Sequence, residues 1–214
     1  MRARRCRRSD EGSSVRPRKK PKRIHRLGSF LVELRQQEGM GARALEFTIL
    51  TACRSGEVRG ATWAEIDTEA KTWTIPAERM KAGKEHRVPL SDSALALLNT
   101  LPRMAGTDVV FPGTKGQPLS DMTLTAVLRR MEVPATTHGF RSTFRDWAGE
   151  RTAHPREVIE HALAHQLKDK AEAAYQRGSL FDKRRHLMDD WAAFLERPAL
   201  PAQVIDSAAK RVHG

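Results

Sequence analysis

Thr137-His138-Gly139-Phe140-Arg141-Ser142-Thr143-Phe144-Arg145 reads as a helix with two working faces. His138 and Arg141, spaced i, i+3, point the same way, while Phe140 and Phe144 share another face that is expected to pack inward. A histidine and an arginine side by side at a cleft can donate several hydrogen bonds to one phosphate. Arg145 is expected to be an outer-face charge.

Outward from this stretch the pattern stays mainly helical. Downstream, helices fit residues 138–151, 155–163, 169–177 and 181–196. Upstream, Ser120 is expected to cap a helix through Met131, and Ser91 to cap one carrying Leu95, Leu97 and Leu98. Leu27 to Gln37 places Leu27, Leu31 and Leu34 on one side and stops at Gly39 and Gly41. Ala42 to Cys53 repeats Leu45, Ile49 and Cys53 at i, i+4, i+8, and a break at Arg54-Ser55-Gly56 leads into a short helix through Trp63. Lys71 to Ile75 alternates like a strand, and His86 to Leu90 is a second, short or at an edge because Pro89 has no N–H to donate. Val109 to Phe111 is a third strand or extended segment. The expected fold class is mainly α with a small antiparallel β-sheet, an α+β arrangement.

Several polar residues sit oddly in these elements. Arg54 follows directly on an apolar helix, and Glu57, three residues on, is placed to brace it. Lys81 and Lys84 lie at the turn between the two strands. His161 and His165 are spaced i, i+4, but the Glu of an H-E-x-x-H pattern is missing and Leu163-Ala164 reads as a helix end, so no metal is expected there. Tyr175 is the only tyrosine; with an ordinary pKa of ~10 it is a poor nucleophile unless cations surround it.

Composition bounds the partner. The 214 residues are 39% hydrophobic and carry a net charge of +12, which suits one domain facing a polyanion. Residues 1–26 hold twelve Lys and Arg against Asp10 and Glu11, a net +10, so the rest of the chain carries only +2 and any phosphate site there must be a local cluster. Residues 1–26 are expected to be a basic disordered tail, 27–197 the folded domain, and 198–214 a C-terminal tail. Cys6 and Cys53 form no framework, and no C-x-x-C occurs. The longest apolar stretch, Leu45 to Cys53, falls short of the ~20 residues that span a bilayer. A soluble cytoplasmic protein without a membrane partner or small-molecule substrate is expected.

Taken in order, the motifs resemble one family. Thr51-Ala-Cys-Arg54-Ser-Gly-Glu57-Val-Arg-Gly60 looks like the first box of the tyrosine recombinases, or phage integrases, where an acidic residue follows the arginine by three. Lys81-Ala-Gly-Lys-Glu-His-Arg-Val-Pro-Leu90 resembles their β-hairpin lysine segment, and His138-Gly-Phe-Arg141 their H-x-x-R box. Leu163-Ala-His165 resembles L-G-H, with Ala164 where many members have glycine, and Tyr175 stands where the nucleophile belongs. The wording is most similar to integrases of genomic islands and prophages, over residues 27–197.

The resemblance implies a tyrosine recombinase catalytic-domain fold and a DNA strand transferase that works through a 3′-phosphotyrosyl intermediate, needs no cofactor, and acts on double-stranded DNA with self-association on it. It implies that Tyr175 attacks, that Arg54, Arg141 and His165 bind the phosphate oxygens, that Lys81 protonates the leaving oxygen, and that His138 assists proton transfer, with Glu57 in support. Members normally carry a core-binding domain ahead of the catalytic one, and none is recognised before Leu27; a truncated integrase with impaired recombination is the expectation. Two other readings use parts of the same pattern: an inactive DNA-binding module, and a two-histidine, lysine-assisted RNA-cleaving enzyme.

Each phosphate contact contributes a slope of about −0.9 to log K against log salt. Deleting residues 1–26, which hold most of the charge, is expected to flatten that slope for nonspecific DNA by several units in a fluorescence-anisotropy titration; an unchanged slope would mean that the tail does not touch DNA.

Overall fold

The structure, a computed structural model, describes residues 27–165 and 180–197. The expected tails at 1–26 and 198–214, the expected helix at 169–177, and Tyr175 lie outside the described residues.

Helix α2 (Met40–Thr51) is the axis of the domain. Every residue from Ala44 to Thr51 is buried, as befits a helix surrounded by others: α1 (Leu27–Arg35), α4 (Asp92–Asn99), α5 (Thr123–Arg130), α6 (Thr137–Arg151) and α8 (Phe181–Glu196) all touch it. Its hydroxyls bond within the helix, and its buried carboxylate forms ion pairs. Thr48 and Thr51 donate their hydroxyls to the carbonyls of Ala44 and Phe47, both at 2.7 Å, and buried Glu46 pairs with Arg35 at 2.6 Å and Arg43 at 3.3 Å. Leu27, Leu31 and Leu34 seat α1 as its spacing required.

α2 stops at Ala52, which adopts the left-handed conformation (φ 52°, ψ 23°), and Arg54 then caps α3 (Ser55–Arg59). The expected helix through Trp63 ends four residues early. Gly60 lets the Arg79 guanidinium approach where a Cβ would lie only 2.6 Å from Nη1, and Thr62 is already extended; Trp63–Glu65 forms only a 3-10 turn. Strands β1 (Ile66–Asp67), β2 (Thr72–Ile75) and β3 (His86–Pro89) follow, antiparallel and in that spatial order. Trp73 pairs with Val88, and both face the core; Pro89 sits on an edge strand, where a missing N–H is tolerated. β1 was not foreseen, because two residues are too few to show alternation. Val109 makes only a single bridge, to Thr62, so the extended reading of 109–111 applies; Val110 and Phe111 are nevertheless fully buried.

Ser91 caps α4 through its hydroxyl, which accepts from the Ala94 N–H at 3.4 Å. Ser120 does not cap α5. Its hydroxyl meets that of Thr123 at 2.9 Å, its carbonyl takes the Thr123 N–H, and the helix begins only after Met122. Thr136 caps α6, accepting from the Gly139 N–H at 3.0 Å, and α7 (Arg156–Ala162) follows.

Helix α8 closes the domain through aromatic rings. Trp191 is fully buried, meets Phe144 edge-on at 5.2 Å and Trp147 at 4.9 Å, and donates its indole N–H to the Ile49 carbonyl at 2.8 Å. Trp191→Ala is expected to lower stability by about 3–5 kcal/mol, read as a lower guanidinium midpoint. Trp191→Phe, which removes chiefly the N–H donor, should cost about 1–2 kcal/mol. A Trp191→Ala loss under about 1 kcal/mol would contradict this seating of α8.

Candidate active site

The polar residues of the first box are built on the break after α2. Glu57, in the first turn of α3, is 5% exposed, so its carboxylate must be fully satisfied. It takes the Arg54 backbone N–H at 2.8 Å with one oxygen and the Arg54 guanidinium at 2.7 Å with the other. Arg54 is thereby fixed in direction while its side chain stays 30% exposed, its remaining donors open to a ligand.

Arg141 comes to the same place from α6. It is 5% exposed, and it donates to the carbonyls of Ala52 and, at 2.7 Å, of Leu163. Burial lowers its pKa, with the Arg54 charge adding to that effect and Cys53 and Glu57 opposing it. The two guanidiniums therefore sense one another, and among the described residues Glu57, paired with Arg54, is the one carboxylate beside them. Cys53 is close enough to feel both charges; burial, then the Glu57 charge, pushes its thiol up to about 12, so it is inert.

His165 lies just past α7. The helix ends at Ala162, Ala164 adopts the left-handed conformation at φ 48°, and the His165 N–H returns to the Glu160 carbonyl at 2.9 Å. His161 and His165 therefore do not share a helix face. Nδ1 of His165 meets Glu160 Oε2 at 2.6 Å, and Glu160 Oε1 takes two N–H groups of Arg145 at 2.9 and 2.7 Å. Burial alone would raise the Glu160 carboxyl, but the hydrogen bonds from His165 and Arg145 hold it below the usual range. Arg145 is therefore not a mere outer-face charge, although it is half exposed.

The structure thus brings Arg54, Glu57, Arg141 and the Leu163–His165 turn together. His138 is exposed in the first turn of α6, and Lys81 is exposed between β2 and β3; neither hydrogen-bonds to the cluster among the described residues. Arg141 turned inward while His138 did not, because its long stem buries against the core and its head reaches two carbonyls. No group of three or more His, Cys, Asp or Glu side chains suited to a metal occurs among the described residues.

Three further residues escaped sequence reading. His86 opens β3 and lies near enough to the Ala162 backbone and the Arg184 charge for both to bear on its protonation. Arg184 of α8 is buried and donates to the Arg87 carbonyl at 2.7 Å. Glu160 lies inside α7 and carries no motif of its own. A histidine beside Val-Pro-Leu was the one signal available.

A model of the phage integrase family matches residues 21–179. The chain belongs to this family. As a phage integrase it is 36% identical, over 185 residues, to the prophage integrase IntA of Escherichia coli K12, covering 84% of this chain and 43% of that protein. It is 35% identical to the integrase of enterobacteria phage P4, covering 80% of this chain and 44% of that one. It spans less than half the length of these relatives. The fold is that of solved integrases: one from mycobacterium phage Brujita (TM-score 0.63, 17% identity, 81% of this chain and 59% of that chain) and a lambda integrase dimer bound to a COC′ core site (TM-score 0.54, 19% identity, 71% and 60%). No helix among the described residues of this integrase is long and apolar enough to cross a membrane.

His86 gives the integrase a pH signature. Burial, and next the Arg184 charge, lower its pKa from 6.5 to about 4. Between those values the unfolded chain takes up a proton that the folded one refuses, so stability falls as pH falls, by up to about 3 kcal/mol. Glu160, held below its ordinary 4.5, contributes stability that is lost as pH falls below that value, so above pH 4.5 the slope belongs to His86. Urea melts from pH 7 to 4.5 should show this slope in the wild type and a flatter one in His86→Gln; equal slopes would rule out His86 as its source.

Proposed function

We propose that residues 27–197 are the catalytic domain of a site-specific DNA recombinase that breaks and rejoins strands through Tyr175. The observation that supports it best is the arginine pair: Arg54 aimed by Glu57 and Arg141 held by two carbonyls, two guanidiniums that feel each other's charge with one carboxylate, Glu57, beside them, in a chain of the phage integrase family. Such a pair calls for a shared anion, and the scissile phosphate supplies one.

In this reading the Tyr175 oxygen attacks phosphorus, the P–O5′ bond breaks, and a 3′-phosphotyrosyl bond forms. Arg54 and Arg141 clamp the non-bridging oxygens, which forked guanidiniums suit because they stay charged and bind bidentately. His165 adds a donor to the same oxygens. Each preorganised donor aimed at developing charge is worth about 3 kcal/mol. Lys81 gives a proton to the departing O5′, and His138 helps remove the one from Tyr175. No metal or nucleotide is required, because the phosphotyrosine retains the bond energy for religation. Double-stranded DNA is the partner, with self-association on it, and the protein is DNA-associated in the cytoplasm; one lambda integrase structure is a dimer on a core site and another a tetramer on a Holliday junction.

Tyr175 is the only tyrosine, which makes the test direct. Against a pool of nicked duplexes with randomised core sequence, the wild type should form an SDS-resistant protein–DNA adduct and Tyr175→Phe none, with nonspecific DNA affinity unchanged. An adduct surviving Tyr175→Phe would refute the nucleophile and the mechanism with it.

A further inference from the structure

We infer that Glu160 is a positioning residue for His165, with Arg145 as its anchor. The inference rests on the reading above, in which His165 serves the phosphate.

The backbone makes the encounter obligatory. Leu163 caps α7, Ala164 is left-handed, and two bonds close the end: Ala164 N–H to the His161 carbonyl at 3.0 Å, and His165 N–H to the Glu160 carbonyl at 2.9 Å. This Schellman closure folds residue 165 back over residue 160. Arg141 of α6 holds the same turn through the Leu163 carbonyl. The imidazole and the carboxylate then meet at 2.6 Å.

The bonding pattern separates this contact from a helix-to-helix tie. An arginine that only joins two helices does so best with one donor on each carboxylate oxygen. Here both Arg145 donors converge on Oε1, which among the described residues leaves Oε2 to His165. The Glu160 side chain is 9% exposed, where burial favours the acid, and the hydrogen bonds from His165 and Arg145, with the Arg145 charge, keep it an anion. An anionic carboxylate can only accept, so Nδ1 of His165 carries a proton. Nε2, across the ring, is the nitrogen left for a ligand. A second proton can enter only there, and the Glu160 charge balances the imidazolium that then donates to a phosphate oxygen. Replacing the carboxylate frees both the ring orientation and the choice of tautomer, the logic by which an aspartate orients a hydrolase histidine.

Two measurements on the full chain test this. In ¹⁵N-edited NMR of the DNA-free protein, with the His165 signal assigned by its loss in His165→Ala, the wild type should carry its proton on Nδ1, and Glu160→Gln should shift population to the Nε2–H form. A wild-type ring protonated on Nε2 alone overturns the proposal without recourse to any variant, as does a spectrum unchanged by Glu160→Gln. In the adduct assay, Glu160→Gln should slow adduct formation about 10- to 100-fold in the wild-type background, with DNA affinity unaltered. On a His165→Ala background it should cause no further loss. A loss of equal size in both backgrounds means a purely structural role and sinks the proposal. A wild type that forms no adduct at all tells against the recombinase reading instead, and the nitrogen spectrum still decides the role of Glu160.

Discussion

The bond network of one buried cation organises this molecule. Arg141 leaves α6, passes into the core, and gives one N–H from each of Nη1 and Nη2 to the carbonyls of Ala52 and Leu163. Those carbonyls belong to the ends of α2 and α7, where the chain turns through left-handed residues, Ala52 itself and Ala164. A guanidinium out of water needs such partners, since an unpaired buried charge costs several kcal/mol. The converse also holds: the two turns keep their shape because Arg141 fills the space between them. Helix ends that would otherwise fray are pinned to one point, and Arg54 and His165 each lie two residues beyond a pinned carbonyl, with Glu57 three residues past Arg54.

Carbonyl dipoles solvate Arg141 but do not neutralise it. Glu57 is one carboxylate for two arginines, so the cluster is left cationic and the like charges raise each other's energy. An incoming anion relieves that repulsion at the moment of binding. Positive potential at this spot is therefore a local product of geometry, independent of the basic stretch at 1–26, and the +2 carried by residues 27–214 suffices.

Much of this was legible beforehand. Helices announced themselves by period: Leu27, Leu31 and Leu34 mark α1, and Phe140 and Phe144 mark the inner face of α6. The Trp73–Val88 hairpin followed from alternation and Pro89. Errors fell where short-range cues compete with tertiary contacts. The helix expected through Trp63 broke because Arg79 passes over Gly60, from a segment sixteen or more residues on, which no local window shows. Ser120 had the right chemistry for a cap and the wrong backbone. In the site, Arg54 and Glu57 were readable as a pair because i and i+3 are neighbours on one turn, whereas Arg145 and Glu160 sit fifteen residues apart and look like ordinary surface charges. Pairings across elements carry no signature in a single chain.

The aromatic seam beneath α8 has an optical consequence. Trp147 and Trp191 stack within 4.9 Å at an interplanar angle of 50°, with Phe194 5.4 Å from the first ring and 5.5 Å from the second. Two indoles so close and so tilted couple their electronic transitions, and coupled chromophores in a chiral array produce a paired band of opposite signs in circular dichroism. The seam is thus a built-in chromophore for the docking of α8: the couplet persists while that helix is seated on α6 and collapses when it lifts away, with no label attached to the protein.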